Sequence, residues 1–173
     1  MIKCKRLLLL IFCFGTLHPL FAQKNGDYYK KWKEEYNERI QKDYLFGVYI
    51  PEDMGDAFLQ LNKLIDKDSK EKFQSAPEDV AVRKLHFSFG RWMIYNWQFY
   101  DGPRLSHSLK QLGIHHPDDM ASVLIRTYHR YLNKKPLNIK DQVEAIEARK
   151  EKEREEKRKA RIDSSLVKNK EGN

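Results

Sequence analysis

Cysteine is almost missing from this chain of 173 residues: the two that occur, Cys4 and Cys13, both lie within the first 22 positions. Long apolar runs are missing too, apart from one near the start, where Lys3, Lys5 and Arg6 precede the apolar stretch Leu7 to Leu20 and the small residue Ala22. A positive, then apolar, then small order is the pattern of a secretory signal peptide. It predicts cleavage after Ala22, a mature chain beginning at Gln23, and a protein that works in the periplasm or outside the cell. Cleavage would leave no cysteine, and therefore no disulfide, no thiol nucleophile and no thiolate metal ligand, so the exported fold must be held by its core alone. Nothing later is apolar for long enough to cross a bilayer, which predicts no transmembrane span after cleavage. The few glycines are scattered: no Gly-rich loop is written to cradle a phosphate, and no Gly-x-Ser-x-Gly turn to present a nucleophile. The alternation of a half-buried strand is lacking as well, and no segment repeats.

Charge and aromatic rings are what the chain has. Charged residues make up 34% and aromatics 12%, and the net charge of +8 falls to +5 once Lys3, Lys5 and Arg6 are removed. Outside the cytoplasm such a charge serves first to keep the surface soluble, and where it binds, it favours phospholipid headgroups, surface polysaccharide or an acidic protein over nucleic acid. The basic residues of the C-terminal third come with similar numbers of acids and no interleaved aromatics, which also argues against a nucleic-acid surface.

Periodicity predicts an all-α protein. Tyr28, Trp32, Tyr36 and Ile40 recur every four residues behind Asp27, giving an amphipathic helix over 27–44 whose stripe packs on the main domain. Pro51, Glu52 and Asp53 open a helix reaching Ile65, with Phe58, Leu61 and Ile65 on one face. After a turn-like "KDSKEKFQSA", one long helix is predicted from Pro77 to Trp97, apolar nearly all round and therefore central. At 100° per residue, Val82, Leu85, Phe89 and Trp92 share its inner face with Asn96 among them, and Gly90 marks the close approach of a neighbouring backbone.

A short helix carries Leu105, Leu109 and Leu112, and Gly113 stands where a helix ends. In "LGIHHPDDM", residues 112–120, Pro117 starts the next helix, and Asp118 and Asp119 sit in its first turn, where free amides and the dipole favour carboxylates. Met120, Leu124, Thr127 and Tyr131 line one side of that helix, while Ser122, Arg126, His129 and Arg130 face out. The organisation is a signal over 1–22, a helical arm over 23–46, a compact domain of about five helices over 47–132, a connector helix over 133–146, and a charged tail over 147–173 that is a solvated helix or disordered.

"HFSFGRWMIYNWQFYDGPRLS" followed by "LGIHHPDDMASVLIRTYHRYL" resembles a bacterial domain family of unknown function across about Ile50 to Leu132. That family carries a Gly-x-Trp-x-x-x-Asn-x-(aromatic) helix and a Leu-Gly-Ile-x-His-Pro-Asp-Asp-Met segment. The matching positions are His86, Phe87, Gly90, Trp92 and Asn96 on the first, Arg104 and Leu105 after the turn, and Leu112, Gly113, Ile114, His116, Pro117, Asp118, Asp119, Met120 and Tyr128 on the second. The chain departs from the pattern at Tyr95, where the family commonly has arginine, and at Trp97-Gln98-Phe99-Tyr100. The resemblance implies a domain and no activity.

Two readings of the chemistry follow. The first is a non-catalytic exported domain that binds a protein or cell-envelope component through Trp92, Trp97, Phe99 and Tyr100, with Asn96 nearby and Arg91, Arg104, Arg126 and Arg130 as a basic rim. The second is a small hydrolase-like enzyme using His86 or His116 with Asp118 or Asp119. No metal or cofactor is predicted, because adjacent His115 and His116 point apart and the aspartates already serve a helix start.

Overall fold

The structure, a computed structural model, describes the backbone of residues 18–171 and the side chains of residues 26–164. The basic start of the predicted signal, both cysteines and most of the apolar run lie outside these residues. The fold is an all-α bundle with an N-terminal helical arm and a long charged C-terminal helix.

Helix α1, His18–Arg39, runs across the predicted cleavage position. It stops short of the expected 44, because Phe46 and Gly47 both take positive φ and fold residues 44–49 into a hairpin. Its strands are β1, Tyr44–Leu45, and β2, Val48–Tyr49, antiparallel with Tyr44 opposite Tyr49. Two left-handed residues in succession are the turn that joins such strands tightly, and two residues per strand are too few for an alternation to register. The aromatic stripe of α1 does not bury as expected. Tyr28 and Trp32 stay exposed, and the helix docks through its last turns only, where Tyr36 Oη shares a 2.8 Å hydrogen bond with His107 Nδ1 and Arg39 Nε donates to the Asp101 carbonyl.

Helix α2, Met54–Leu64, begins three residues after Pro51, because Asp53 caps it by accepting the Asp56 amide at 2.8 Å. The segment read as a turn is helix α3, Lys67–Ser75, capped in the same way by Asp66. Its polar composition hid it: only Phe73 turns toward the core, so no apolar period shows.

The long helix predicted from Pro77 is broken into α4, Glu78–Leu85, a π-helical turn, His86–Gly90, and α5, Arg91–Asn96. A π turn inserts one extra residue, so every later position rotates by about 100°. Met93 and Trp97, at 0% and 1% exposure, therefore take the core places that a regular helix would have given to Trp92 and Asn96. Trp92 is 36% exposed, and Asn96 turns its amide back to the Trp92 carbonyl at 2.9 Å. Gly90 is buried, yet a β-carbon there would meet Ala121 and Ile125 side chains at an ordinary 3.5 Å, so it is side chains and not a neighbouring backbone that approach it.

A 3₁₀ turn, Phe99–Asp101, leads into α6, Arg104–Gln111. This helix closes as the sequence predicts: the Gly113 amide donates to Lys110, the Ile114 amide to Leu109, Gly113 sits at φ +91, and Ile114 is fully buried behind it. Helix α7, Pro117–Leu132, is the true central rod, touching α3, α4, the π turn, α5, α6 and α8. Met120, Ala121, Leu124, Ile125 and Tyr128 are entirely buried on it. His129, expected to face out, is buried too, with Nε2 on the Ala76 carbonyl at 2.9 Å, whereas Tyr131 is 42% exposed. Surrounding helices on every side override the single-stripe pattern.

Connector and tail form one helix, α8, Ile139–Glu171, with no break at 146. Leu137, Ile139, Val143 and Ile146 pack on the core. Val143 passes so close to Gly113 that a β-carbon there would lie 3.1 Å from it. Beyond Lys150 the helix is exposed as far as its side chains are described. No helix among the described residues is long and apolar enough to cross a membrane.

Candidate functional site

Two places on the domain gather the chemistry. The first is an open hollow of about 590 Å³ between α4, α7 and α8, lined by His86, His116, Asp118, Asp119 and Ser122 among others. Pro117 at the first helical position sets α7 going, and His116 is its cap, its Nδ1 accepting the Asp118 amide at 3.3 Å. The helix-start reading of "HHPDDM" is therefore right, with the histidine as a further member. Asp119 is buried under α8 and paired with Arg149 and Lys150, the latter at 2.9 Å. Burial raises its carboxyl, and the hydrogen bonds from Lys150 and Arg149 more than reverse that, so it lies below the usual carboxylate value. It is a tie between the domain and α8.

Three residues later on α7, Ser122 Oγ shares a 3.0 Å hydrogen bond with His86 Nδ1, and the other ring nitrogen of His86 lies 3.9 Å from Asp118 Oδ1. Ser122 was expected to face out. The signal for it was the spacing: Asp118 and Ser122 are one turn apart, so they share a face. A serine, an imidazole and a carboxylate in one hollow invite comparison with a catalytic triad, and the geometry argues against one. At 3.9 Å the carboxylate does not hydrogen-bond the ring. Ser122 lies in mid-helix, where backbone amides are directed at carbonyls four residues back and none is left to stabilise an oxyanion. Among the described residues no three His, Asp or Glu side chains stand close enough to hold a metal ion.

The second place is the outward side of the α4–α5 helix. By rotating Met93 and Trp97 inward, the π turn leaves Phe87, Arg91, Trp92 and Tyr95 outside, with Phe87 at 72% and Tyr95 at 78% exposure. Trp92 stacks on Phe89 at 6.0 Å between ring centres, which fixes its ring. Arg91 has no ion pair among the described residues, and neither does Arg83, about two turns earlier on α4. Phe87 and Tyr95 were missed as surface anchors, although Phe87, Arg91 and Tyr95 recur at intervals of four.

The other predicted binding residues are not part of this surface. Trp97 and Phe99 are core residues at 1% exposure each, their rings tilted against one another. Asn96 is half-buried and bonded within its own helix, and Tyr100 is exposed on the 3₁₀ turn beyond α5. Arg104 donates to the Ile50 carbonyl at 2.7 Å, pairs with Asp43 and lies over the Tyr49 ring, so it pins the hairpin to the domain. Arg126 and Arg130 do not form a rim either. Both close on Glu78, Arg126 at 2.7 Å and Arg130 with two parallel bonds of 2.8 Å, and Arg126 also reaches Asp79. The reason is one of position: these guanidiniums project from the C-terminal half of α7 toward the first turn of α4, where carboxylates gather.

Residues 50–132 match the family described as domain of unknown function (DUF6794). No curated protein and no solved structure matches the chain.

Proposed function

Taking residues 50–132 as a domain of that family, we propose that the protein is an exported, non-catalytic binding domain for an acidic protein or envelope component. Its contact surface is the outward side of α4–α5, with Phe87, Trp92 and Tyr95 as anchors and Arg83 and Arg91 as the basic fringe. The single observation that supports this most is the exposure of Phe87 and Tyr95 about an unpaired arginine, on a helix whose π turn holds them away from the core. Large aromatics left in water beside arginine are the composition of interface hot spots, and π turns are enriched at functional positions. Export rests on the basic, apolar and small order of residues 3–22.

The test is a pair of substitutions made together, Phe87→Ser and Tyr95→Ser. Expressed as the full chain, the variant is expected to be exported, trimmed to begin at Gln23 by mass spectrometry, and folded like the parent. It is expected to lose the envelope partner that co-isolates with the parent. Equal recovery of that partner by both chains would contradict the reading.

One observation favours a hydrolase-like alternative: His86, His116, Asp118 and Ser122 do line one open hollow. Ester hydrolysis by the purified chain that disappears in Ser122→Ala would move the function there.

A further inference from the structure

Across Phe89 from the α4–α5 surface, α3 and α4 meet at Ala76 and Pro77 and splay apart around a hollow of about 440 Å³. Its walls are apolar: Ile65, Phe73, Val80, Leu85 and Phe89 supply most of the surface. Lys72 on α3 and Lys84 on α4 also line it, and neither has an ion pair among the described residues. Phe73 is held from behind, stacked on Tyr128 at 5.8 Å and edge-on to His129 at 5.2 Å, so this wall is built before anything enters.

We propose that this hollow binds a single-chain anionic amphiphile, with the alkyl chain between α3 and α4 and a carboxylate or phosphate head beside Lys72 and Lys84. The size falls in the range of small-molecule sites, and a dry wall with a few charged groups is their usual chemistry. A partner helix is a poorer fit. A helix about 10 Å across would use up 440 Å³ in about one turn. An alkyl chain fits an apolar space of that size, and two unpaired lysines supply the charge that a neutral chain would leave unanswered. This inference stands apart from the α4–α5 surface and does not depend on it.

The experiment displaces 11-(dansylamino)undecanoate from the full mature chain, below any micelle concentration, with decanoate, dodecanoate, dodecyl phosphate and dodecanol. One site per chain is expected, and each added buried methylene should tighten binding about fourfold, so dodecanoate should displace at least about tenfold better than decanoate. The relative strength of dodecanoate and dodecyl phosphate identifies the head group, carboxylate or phosphate. Lys72→Glu with Lys84→Glu should weaken both anions by about tenfold or more and leave dodecanol unchanged. Val80→Trp, which fills the hollow, should abolish all binding. Where that variant fails to fold by circular dichroism, the surface lysine pair decides alone. The proposal is overturned by absence of saturable binding, by several sites per chain, by full binding in folded Val80→Trp, or by anion binding indifferent to the lysine reversal.

Discussion

Glu78 is the residue whose surroundings leave the clearest mark on solution behaviour. The hydrogen bonds from Arg130, opposed by desolvation and helped by Arg126, hold its carboxyl at about 2, against 4.5 for a free glutamate. A carboxyl depressed by folding stabilises the native state fully above the unfolded value and loses that contribution as pH falls toward the folded one. Stability from this group is therefore present at pH 7 and drains away between about 4.5 and 2. Glu78→Gln is expected to cost on the order of 2 kcal/mol at pH 7, a figure reduced for partial solvent screening. The difference should shrink to almost nothing near pH 2, as read by urea unfolding across that range. A deficit that persisted unchanged into acid would assign the loss to packing. At this scale the sequence was legible where a residue's partner is local: Gly113 at a helix end and Pro117 at a helix start were readable because their causes lie within a turn. Arg126, Arg130, Asp119 and His129 were not, because their partners stand between 30 and 53 positions away in the chain.

At the scale of elements, the π turn decides which face of α4–α5 is inside. A 100° rule carried past His86 places Trp92 in the core and Met93 on its flank, and the extra residue reverses them. Nothing local announces such a turn, since residues 86–90 are compatible with an ordinary helix and only packing against α7 selects the wider one. Met93→Ala should therefore cost about 2–5 kcal/mol as a fully buried truncation. Trp92→Ala should cost about 1 kcal/mol or less, despite removing the larger side chain from a partly exposed site. Thermal or urea unfolding of the two variants side by side checks the order. Helix α3 escaped notice for the opposite reason, since a helix with one inward residue has no period to read. The all-α class was legible because it follows from the bulk apolar pattern, which no single turn alters.

The whole molecule is a compact helical domain from which two charged helices extend. Helix α1 is tied down by Tyr36 and Arg39, and α8 by its apolar start and by Arg149 and Lys150 on Asp119. This arrangement leaves Phe87 and Tyr95 of α4–α5 largely exposed, with α8 facing Phe87 and Arg83 only across the open hollow. Exposed aromatics occur elsewhere too, on α1 and on the hairpin, so exposure alone does not single out a contact. What sets α4–α5 apart is a rigid, core-anchored helix that presents rings and unpaired arginines together, which favours recognition at low entropic cost. The most direct measurement of this claim is photo-crosslinking in living cells, with a benzophenone side chain replacing Tyr95 in one strain and the apolar, exposed Leu59 of α2 in another. The account predicts a discrete crosslinked species from position 95 and none from position 59. Crosslinks from both alike, or from position 59 alone, would contradict it.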